Sequence, residues 1–174
     1  MSGTTIFAQD TVREPEFIGE ALILSPDGTL TPLEKSTIVE RERQTTYKVI
    51  TGVGSDKTQI LIDGRTARVQ ISRNDDSKLI VRAVDNNTDP LSFISVFRLK
   101  TSEKRRIAEI ASKNMFGSST NNRFDFLPFS ASKYGTSSYI LTLEEKPAGE
   151  YSIIVRNPNA LNQSATIVSA FAIK

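Results

Sequence analysis

The stretch SSYILTLEEKPAGEYSIIVR, residues 137–156, contains two runs in which apolar and polar side chains alternate. Successive side chains of a β-strand point to opposite faces, so the alternation predicts two strands, SSYILTL and EYSIIVR, each with one buried face. The connection EEKPAG contains the Pro and Gly that are typical of turns. The side chains predicted to face inward are Tyr139, Leu141, Leu143, Tyr151, Ile153 and Val155.

The same period of two recurs from residue 17 to the end of the chain and is interrupted at short intervals by Gly, Pro, Asn and Asp. FIGEALIL and TPLEKS flank a tight turn at residues 26–28, and ATIVSAFAIK predicts a last strand with Ile167, Phe171 and Ile173 inward. Short strands at such intervals are typical of sandwiches and barrels. We therefore predict an all-β fold: an antiparallel β-sandwich, immunoglobulin/fibronectin-like or jelly-roll-like.

Two further segments in the first half of the chain show strand patterns. TYKVITGV, residues 46–53, places alternate side chains from Tyr47 to Val53 on one side. TQILIDGRTARVQIS, residues 58–72, predicts a hairpin, because the pair Asp63-Gly64 is a strong turn signal. The apolar residues that alternate with polar ones in its second strand are Ala67, Val69 and Ile71.

KLIVRAVD and LSFISVFRLK, residues 78–85 and 91–100, are apolar at both odd and even positions. Strands that are covered on both faces have this pattern, so both segments are predicted at the centre of the sandwich. In the second segment the side chains divide between two layers. We expect Phe93, Phe97 and Leu99 to face one layer, with Ile94 and Val96 facing the other.

Residues 101–114, TSEKRRIAEIASKN, allow two interpretations. Ile107, Ile110 and Ala111 fit helical spacing, which predicts one short helix around 103–114. A Ser-Glu-Lys turn between two strands also fits, and we favour this hairpin. The run from Lys104 to Arg106 is interpreted as a solvated face or turn.

At 174 residues the chain suits one domain with its own core. We predict a single β-sandwich domain over residues 14–174 and a disordered tail over residues 1–13. The segment SGTTIFAQD resembles the end of a secretory signal peptide, with Phe7-Ala8-Gln9 just before a cut ahead of Asp10. The apolar and basic regions of a signal peptide are missing, so we expect a truncated one; the alternative is an intact, disordered N-terminus.

The composition restricts the chemistry, because the chain has no Cys, no His and no Trp. Ser-His-Asp triads, His-ligated zinc, Cys nucleophiles, Fe–S clusters and disulfides are therefore excluded. The 22 basic and 20 acidic residues give a formal charge of +2, so nucleic acid is not an expected partner. No apolar run approaches the ~20 residues of a transmembrane helix. We predict a protein without cofactors or catalytic residues, and not an enzyme.

Two short motifs could carry chemistry. Ser130 and Lys133 match the S-x-x-K of serine acyl enzymes, but the accompanying S-D-N and K-T-G motifs are missing and the context predicts a loop. Asp85, Asn87 and Asp89 alternate like the first half of a calcium loop. Pro90 and Val96 occupy the places where an EF-hand requires Gly and Glu, which leaves a looser oxygen site or an ordinary Asx-rich turn.

The longest irregular stretch is rich in aromatic residues, and we expect residues 115–134 to form a loop over one end of the fold. Exposed aromatic rings bind sugars by stacking, whereas the alternative is that these rings cap the core. The candidate ligand-binding residues are Phe116, Phe124, Phe126, Phe129 and Tyr134. Carboxylates such as Asp125 and Asp85 could act with them on a glycan, although no motif selects a pair.

The segments SPDGT, VRAVDNNTDPLSFISVFRLK, PFSASKYGTSSYILTL and PAGEYSIIVRNPN, in this order, resemble a family of uncharacterised exported all-β proteins of Bacteroidetes. The resemblance covers most of residues 16–173 and implies export, with no assigned activity, substrate or cofactor. KPAGEYSIIV also resembles the late-strand entry of immunoglobulin-like and fibronectin-like sandwiches, which implies that the Tyr151 hydroxyl bonds to backbone.

These observations predict an exported, non-catalytic β-sandwich domain, periplasmic or on the cell surface, that contacts a macromolecule or the envelope. The alternative is a glycan-binding or glycan-active protein that uses the aromatic loop and surface carboxylates. The partner, protein or glycan, is not specified by the sequence. A third possibility is a subunit of a surface assembly, paired through an edge strand.

Overall fold

The computed structural model describes residues 12–39, 57–111, 125–156 and 165–174. The predicted tail and signal-peptide remnant up to Thr11 and the predicted strand at 46–53 lie outside these ranges. The strands are β1 Ala21–Leu24, β2 Leu30–Pro32, β3 Glu34–Val39, β4 Lys57–Asp63, β5 Gln70–Ile71, β6 Lys78–Arg82, β7 Ile94–Thr101, β8 Arg105–Ala111, β9 Phe129–Tyr134, β10 Ser138–Leu143, β11 Gly149–Val155 and β12 Ala165–Ile173. One 3₁₀ turn, Pro90–Ser92, precedes β7.

The strands form two sheets. The first has the order β2-β1-β6-β10-β9, and the second has the order β3-β12-β11-β7-β8-β4, with β5 also paired to β12. All neighbours are antiparallel except β5 and β12. The predicted all-β, antiparallel sandwich is confirmed. No helix in the described ranges is long and apolar enough to cross a bilayer.

The main core lies between the two sheets. It contains residues of β1, β6, β9 and β10 from the first sheet and of β5, β7, β11 and β12 from the second. The six inward-facing residues predicted for β10 and β11 all belong to it, as do Phe171 and Ile173. Ile167 is partly buried and approaches Gly19. Alternation therefore identified the buried face of these three strands correctly.

A second core covers the opposite face of the second sheet, because β4 and β8 fold over β7, β11 and β12. Its members are Ile60, Ile62, Phe97, Leu99, Ala108, Ile154, Val168 and Ala170. This third layer explains why LSFISVFRLK is apolar at both parities. Ile94 and Val96 face the main core as predicted, but Phe93 was assigned to the wrong layer. It precedes β7, so strand alternation does not apply to it, and its side chain lies in the main core.

Residues 105–111 form β8, so the helix considered around 103–114 is wrong and the hairpin is confirmed. All seven residues pair with β4, which satisfies the backbone and buries Ala108. β8 pairs with β7 only at Ile107 and Arg106 and then diverges from it. The vacated edge of β7 is occupied by Phe126, which pairs with Phe97.

The hairpin predicted at 58–72 is wrong, because β4 pairs with β8 and not with the segment that follows it. Gly64 turns the chain with a φ of 87°, and its N–H donates to the Lys104 carbonyl at 2.9 Å. Only Gln70 and Ile71 become a strand, parallel to the end of β12. Residues 64–69, here called the 64–69 loop, leave the sheet between these two points.

Tyr151 is buried at the start of β11, and its hydroxyl donates to the Pro147 carbonyl at 2.8 Å. This is the backbone contact that the sequence resemblance implied for KPAGEY. Burial raises the pKa of the hydroxyl, and the ring stacks on Phe171 at a centroid distance of 5.7 Å. The contact fixes the entry of β11 into the second sheet.

Glu14 connects the start of the described chain to the turn between β9 and β10. Its Oε1 accepts the N–H of Thr136 at 2.5 Å and of Ser137 at 3.1 Å, and its Oε2 lies 3.4 Å from Arg82 Nη1. Burial opposes ionisation, but the hydrogen bonds from Ser137 and Thr136 and the charge of Arg82 outweigh it, so the pKa of Glu14 is lowered. Glu14 therefore stabilises the fold in its charged form.

We expect Glu14→Gln to lower the free energy of unfolding by about 1–3 kcal/mol at pH 7, because charge-assisted hydrogen bonds are lost. A carboxylate whose pKa is lowered in the folded state adds to the free energy of unfolding. This stabilisation is complete above the ordinary pKa of 4.5 and is lost as the pH falls through the lowered pKa. Urea unfolding of the wild type and of Glu14→Gln should therefore show a difference in the free energy of unfolding that becomes smaller as the pH is lowered. Glu16→Gln, an exposed neighbour, is the control. A difference that is constant down to pH 3 would contradict this assignment.

Candidate functional site

A cavity of about 670 Å³ lies where β7 ends, beside the starts of β8 and β11 and the end of β12. Its volume is within the range of pockets that hold small ligands. Exposed residues line it, so it is open to solvent. The lining residues are Thr66, Arg98, Leu99, Lys100, Thr101, Ile107, Ala108, Asp125, Ala148, Gly149, Glu150, Ala172, Ile173 and Lys174.

The Arg98 side chain is exposed, and two contacts hold it in this cavity. Its Nη2 donates to the Ala148 carbonyl at 2.8 Å, and its guanidinium lies against Gly149. A Cβ on Gly149 would be 3.0 Å from both Nε and Nη2 of Arg98. The glycine therefore leaves the space that the guanidinium occupies.

Arg106 is fully buried, so the interpretation of the run 104–106 as a solvated face is wrong at its last residue. Its Nε donates to the Gly64 carbonyl at 2.9 Å, and its Nη2 donates to the Asp63 carbonyl at 2.9 Å and to Glu34 Oε1 at 2.6 Å. Lys104 and Arg105 are exposed as expected. The three side chains differ because β8 turns Arg106 toward the face that also buries Ala108.

Glu34 and Glu150 connect Arg106 to the 64–69 loop. Glu150 Oε2 lies 3.9 Å from Arg106 Nη1 and accepts the N–H of Ala67 at 2.8 Å. Glu34 Oε2 accepts the N–H of Arg68 at 3.2 Å. Two carboxylates and one guanidinium therefore replace the strand pairing that the sequence predicted for this segment. We call these three side chains the Arg106 network.

The Arg106 network also shapes the cavity. Glu150 lines it directly, and so does Thr66, which belongs to the 64–69 loop that the network holds. Arg106 Nη1 is buried and makes no hydrogen bond to the described residues. Glu150 is 8% exposed, and its negative charge is offset by the nearby guanidinium. The remaining charged residues of the described lining are Arg98, Lys100, Lys174 and Asp125, so this part of the cavity is predominantly basic.

The predicted aromatic site is not formed as one surface by the described residues. Phe126 is 49% exposed beside Asp125, whereas Phe129 is buried in the main core. Tyr134 lies at the far end of β9, next to the turn to β10. Phe116 and Phe124 lie outside the described residues. The predicted loop over 115–134 is wrong for residues 129–134, which form β9 because they pair with all of β10.

The S-x-x-K pair lies in β9 rather than in the predicted loop. Residues three positions apart in a strand point to opposite faces, so Ser130 and Lys133 do not face each other. Lys133 Nζ donates instead to Asn87 Oδ1 at 3.3 Å. This geometry provides no proton transfer from Ser130 to Lys133.

The three candidate calcium ligands lie between β6 and β7. Asp85 Oδ1 accepts the N–H of Asn87 at 2.8 Å, and Asp89 Oδ1 accepts the N–H of Leu91 at 3.0 Å. These are the local bonds of Asx turns and caps. No cluster of three or more acidic side chains that could hold a metal ion occurs in the described ranges. The Asp125 carbonyl accepts the N–H of Arg98 in β7 at 2.8 Å, whereas Asp85 and Asp89 precede the start of that strand.

The residues that sequence reasoning missed are Arg98, Arg106, Glu34 and Glu150. One signal was present: Arg106 alternates with Ala108, so it shares the face of β8 that is buried. Together the fold and the cavity define an all-β sandwich protein with a preformed, predominantly basic cavity at one end. Comparisons with known protein families, curated proteins and solved structures find no match to this chain.

Proposed function

We propose that this chain is an exported, non-catalytic β-sandwich module that binds another macromolecule of the cell envelope through the cavity at the end of β7. The observation that carries the proposal is the cavity itself. Strands β7, β8, β11 and β12 supply most of its lining, so its shape exists before a ligand binds. Preformed pockets with a few fixed polar groups are typical of binding sites.

The polar groups of the described lining support a binding role. Thr66 and Thr101 supply hydroxyls, and Arg98, Lys100 and Lys174 supply positive charge. Arg98 is held by a backbone carbonyl, which suits a group that orients a ligand.

Export is supported by the sequence of the N-terminal segment and by the resemblance to exported Bacteroidetes proteins. Phe7-Ala8-Gln9 before Asp10 resembles the end of a signal peptide. We therefore place the module in the periplasm or on the cell surface.

Phe126 supports a glycan ligand as a second candidate function. Its half-exposed ring follows Asp125, which lines the cavity. An aromatic ring beside a carboxylate is a combination that binds sugars by stacking and hydrogen bonding. The four other predicted aromatic candidates add no second described ring at the cavity, which makes a protein ligand the better supported alternative.

Co-sedimentation with an envelope fraction of a Bacteroidetes species tests the proposal. We expect the purified chain to sediment with the fraction, and the variant Arg98→Glu/Lys100→Glu to remain in solution. Arg13→Glu/Lys133→Glu has the same change of charge at exposed positions outside the cavity and should sediment like the wild type. Circular dichroism verifies that both variants are folded.

Protease treatment of the envelope fraction distinguishes the two ligands. Loss of binding after protease treatment supports a protein ligand, and retention of binding that glycosidases remove supports the glycan alternative. If the wild type does not sediment, or if both double variants sediment equally, the cavity is not the binding site.

A further inference from the structure

We infer that the cavity binds an acidic, extended segment of a partner protein, with a side-chain carboxylate of that segment held by Arg98. This inference rests on the proposed function and names the ligand of the same site. It follows from the contacts that hold Arg98, from the charge of the described lining residues and from the aliphatic side chains among them.

Arg98 is prepared to bind a carboxylate. A guanidinium donates through five N–H groups in one plane, and one nitrogen of Arg98 is directed to the Ala148 carbonyl. Its contact with Gly149 restricts the side chain further. Because less side-chain freedom is lost on binding, a carboxylate gains more from such a group than from a mobile lysine.

The charge of the cavity favours an acidic ligand. Arg98, Lys100 and Lys174 face two carboxylates, of which Glu150 is already close to the Arg106 guanidinium. Asp125 is the other acid of the described lining, so basic groups are in excess among the described residues. Complementary charge favours association with an acidic partner and disfavours a basic one.

The register of the strands indicates an extended ligand. Arg98 and Lys100 are two residues apart on β7 and therefore share a face, about 7 Å apart along the strand. Acidic side chains at alternate positions of an extended peptide have the same spacing. A strand-like segment can thus place one carboxylate at Arg98 and align its alternate side chains along the same face of β7.

The apolar part of the lining is aliphatic, which favours a peptide over a glycan. Ile107 is only partly buried and pairs with Lys100, so an aliphatic side chain with accessible surface lies beside a basic one. No aromatic residue belongs to the described lining. Sugars stack on aromatic rings, whereas leucine and valine side chains pack on aliphatic ones.

Fluorescence anisotropy with a labelled, amidated heptapeptide tests the inference. In this peptide two glutamates alternate with leucine and valine, so all its carboxylates are on side chains. We expect salt-dependent binding, and about tenfold weaker binding by Arg98→Gln, since a charged hydrogen bond is lost. Arg105→Gln removes an exposed cation outside the cavity and should leave binding unchanged.

The variant Gly149→Ala tests how the position of the Arg98 guanidinium affects binding when its charge is unchanged. The added methyl group would lie 3.0 Å from Nε and Nη2 of Arg98, so the guanidinium has to shift by a few tenths of an ångström, whereas the net charge stays the same. We expect a loss of affinity that is smaller than that of Arg98→Gln, because the positive charge remains in the cavity. Unfolding by urea shows whether either variant has lost stability, so that a folding defect is not mistaken for a binding defect.

Three comparison ligands complete the experiment: the same peptide with glutamines, the glutamine peptide with a free terminal carboxylate, and tetragalacturonate. The inference is overturned if any of them binds as well as the glutamate peptide, or if Arg105→Gln weakens binding as much as Arg98→Gln. Envelope binding that persists under those results leaves the proposed function intact with another ligand. Peptide binding without envelope binding contradicts the proposed function alone.

Discussion

Arg106→Met is expected to lower the free energy of unfolding by about 3–5 kcal/mol, because removing one partner leaves buried charges uncompensated. Glu34 and Glu150 have side chains that are 11% and 9% exposed, and both depend on this guanidinium. The carbonyls of Asp63 and Gly64 lose their donor in the same variant. Urea unfolding at pH 7 measures the effect.

Two controls make the result specific to the buried network. Arg105→Gln removes the neighbouring cation, whose partner Asp63 has a 92% exposed side chain, and should cost about 0–1 kcal/mol. Adding Glu34→Gln and Glu150→Gln to Arg106→Met removes the unpaired carboxylates and should recover part of the loss. If Arg106→Met costs no more than Arg105→Gln, the guanidinium is not buried among these carboxylates.

Truncation after Ser169 is expected to abolish folding. The removed residues include Ala170, Phe171, Ala172 and Ile173, all at most 1% exposed, and β12 lies inside the second sheet between β11 and its partners β3 and β5. The substitution Phe171→Ala alone is expected to lower the free energy of unfolding by about 3–5 kcal/mol. A whole domain has only about 5–15 kcal/mol of stability. Circular dichroism measures the loss of secondary structure, and the chemical-shift dispersion of the amide protons in an NMR spectrum measures the loss of the folded state.

Lys174→Ala is the matched control for the truncation. The backbone N–H of Lys174 donates to Ile71, and its carbonyl accepts from Arg73, and both bonds remain in the variant. Because the Lys174 side chain is exposed, its removal should change stability by no more than about 0.5 kcal/mol. A truncated chain that unfolds cooperatively with wild-type signal dispersion would contradict the position of β12.

The sequence allowed the fold class and most strands to be predicted because alternation is a local property. Tyr139 and Leu141 share a face whatever strand lies beside them. The choice of partner strand is not local, and the 58–72 hairpin failed for that reason. Asp63-Gly64 does form a turn. However, β4 pairs with β8 over seven residues and not with residues 65–72, which follow the turn.

The candidate site was harder to predict, since its central contacts join residues that are far apart in sequence. Arg106 and Glu34 are separated by 72 positions, and Ala67 and Glu150 by 83. A basic run is normally a solvated surface, and the burial of Arg106 is tolerable because β3 and β11 supply carboxylates and residues 63 and 64 supply carbonyls. Composition excludes His and Cys chemistry, but it contains no information on such pairings.

Amide hydrogen exchange at Ala67 tests most directly the claim that the Arg106 network holds the 64–69 loop and one side of the cavity. Although Ala67 lies in a loop, its N–H donates to the buried Glu150, so it should exchange as slowly as the amides of β4. The Arg65 amide, in the exposed part of the same loop, should exchange rapidly. Equal, rapid exchange at both positions would contradict the account.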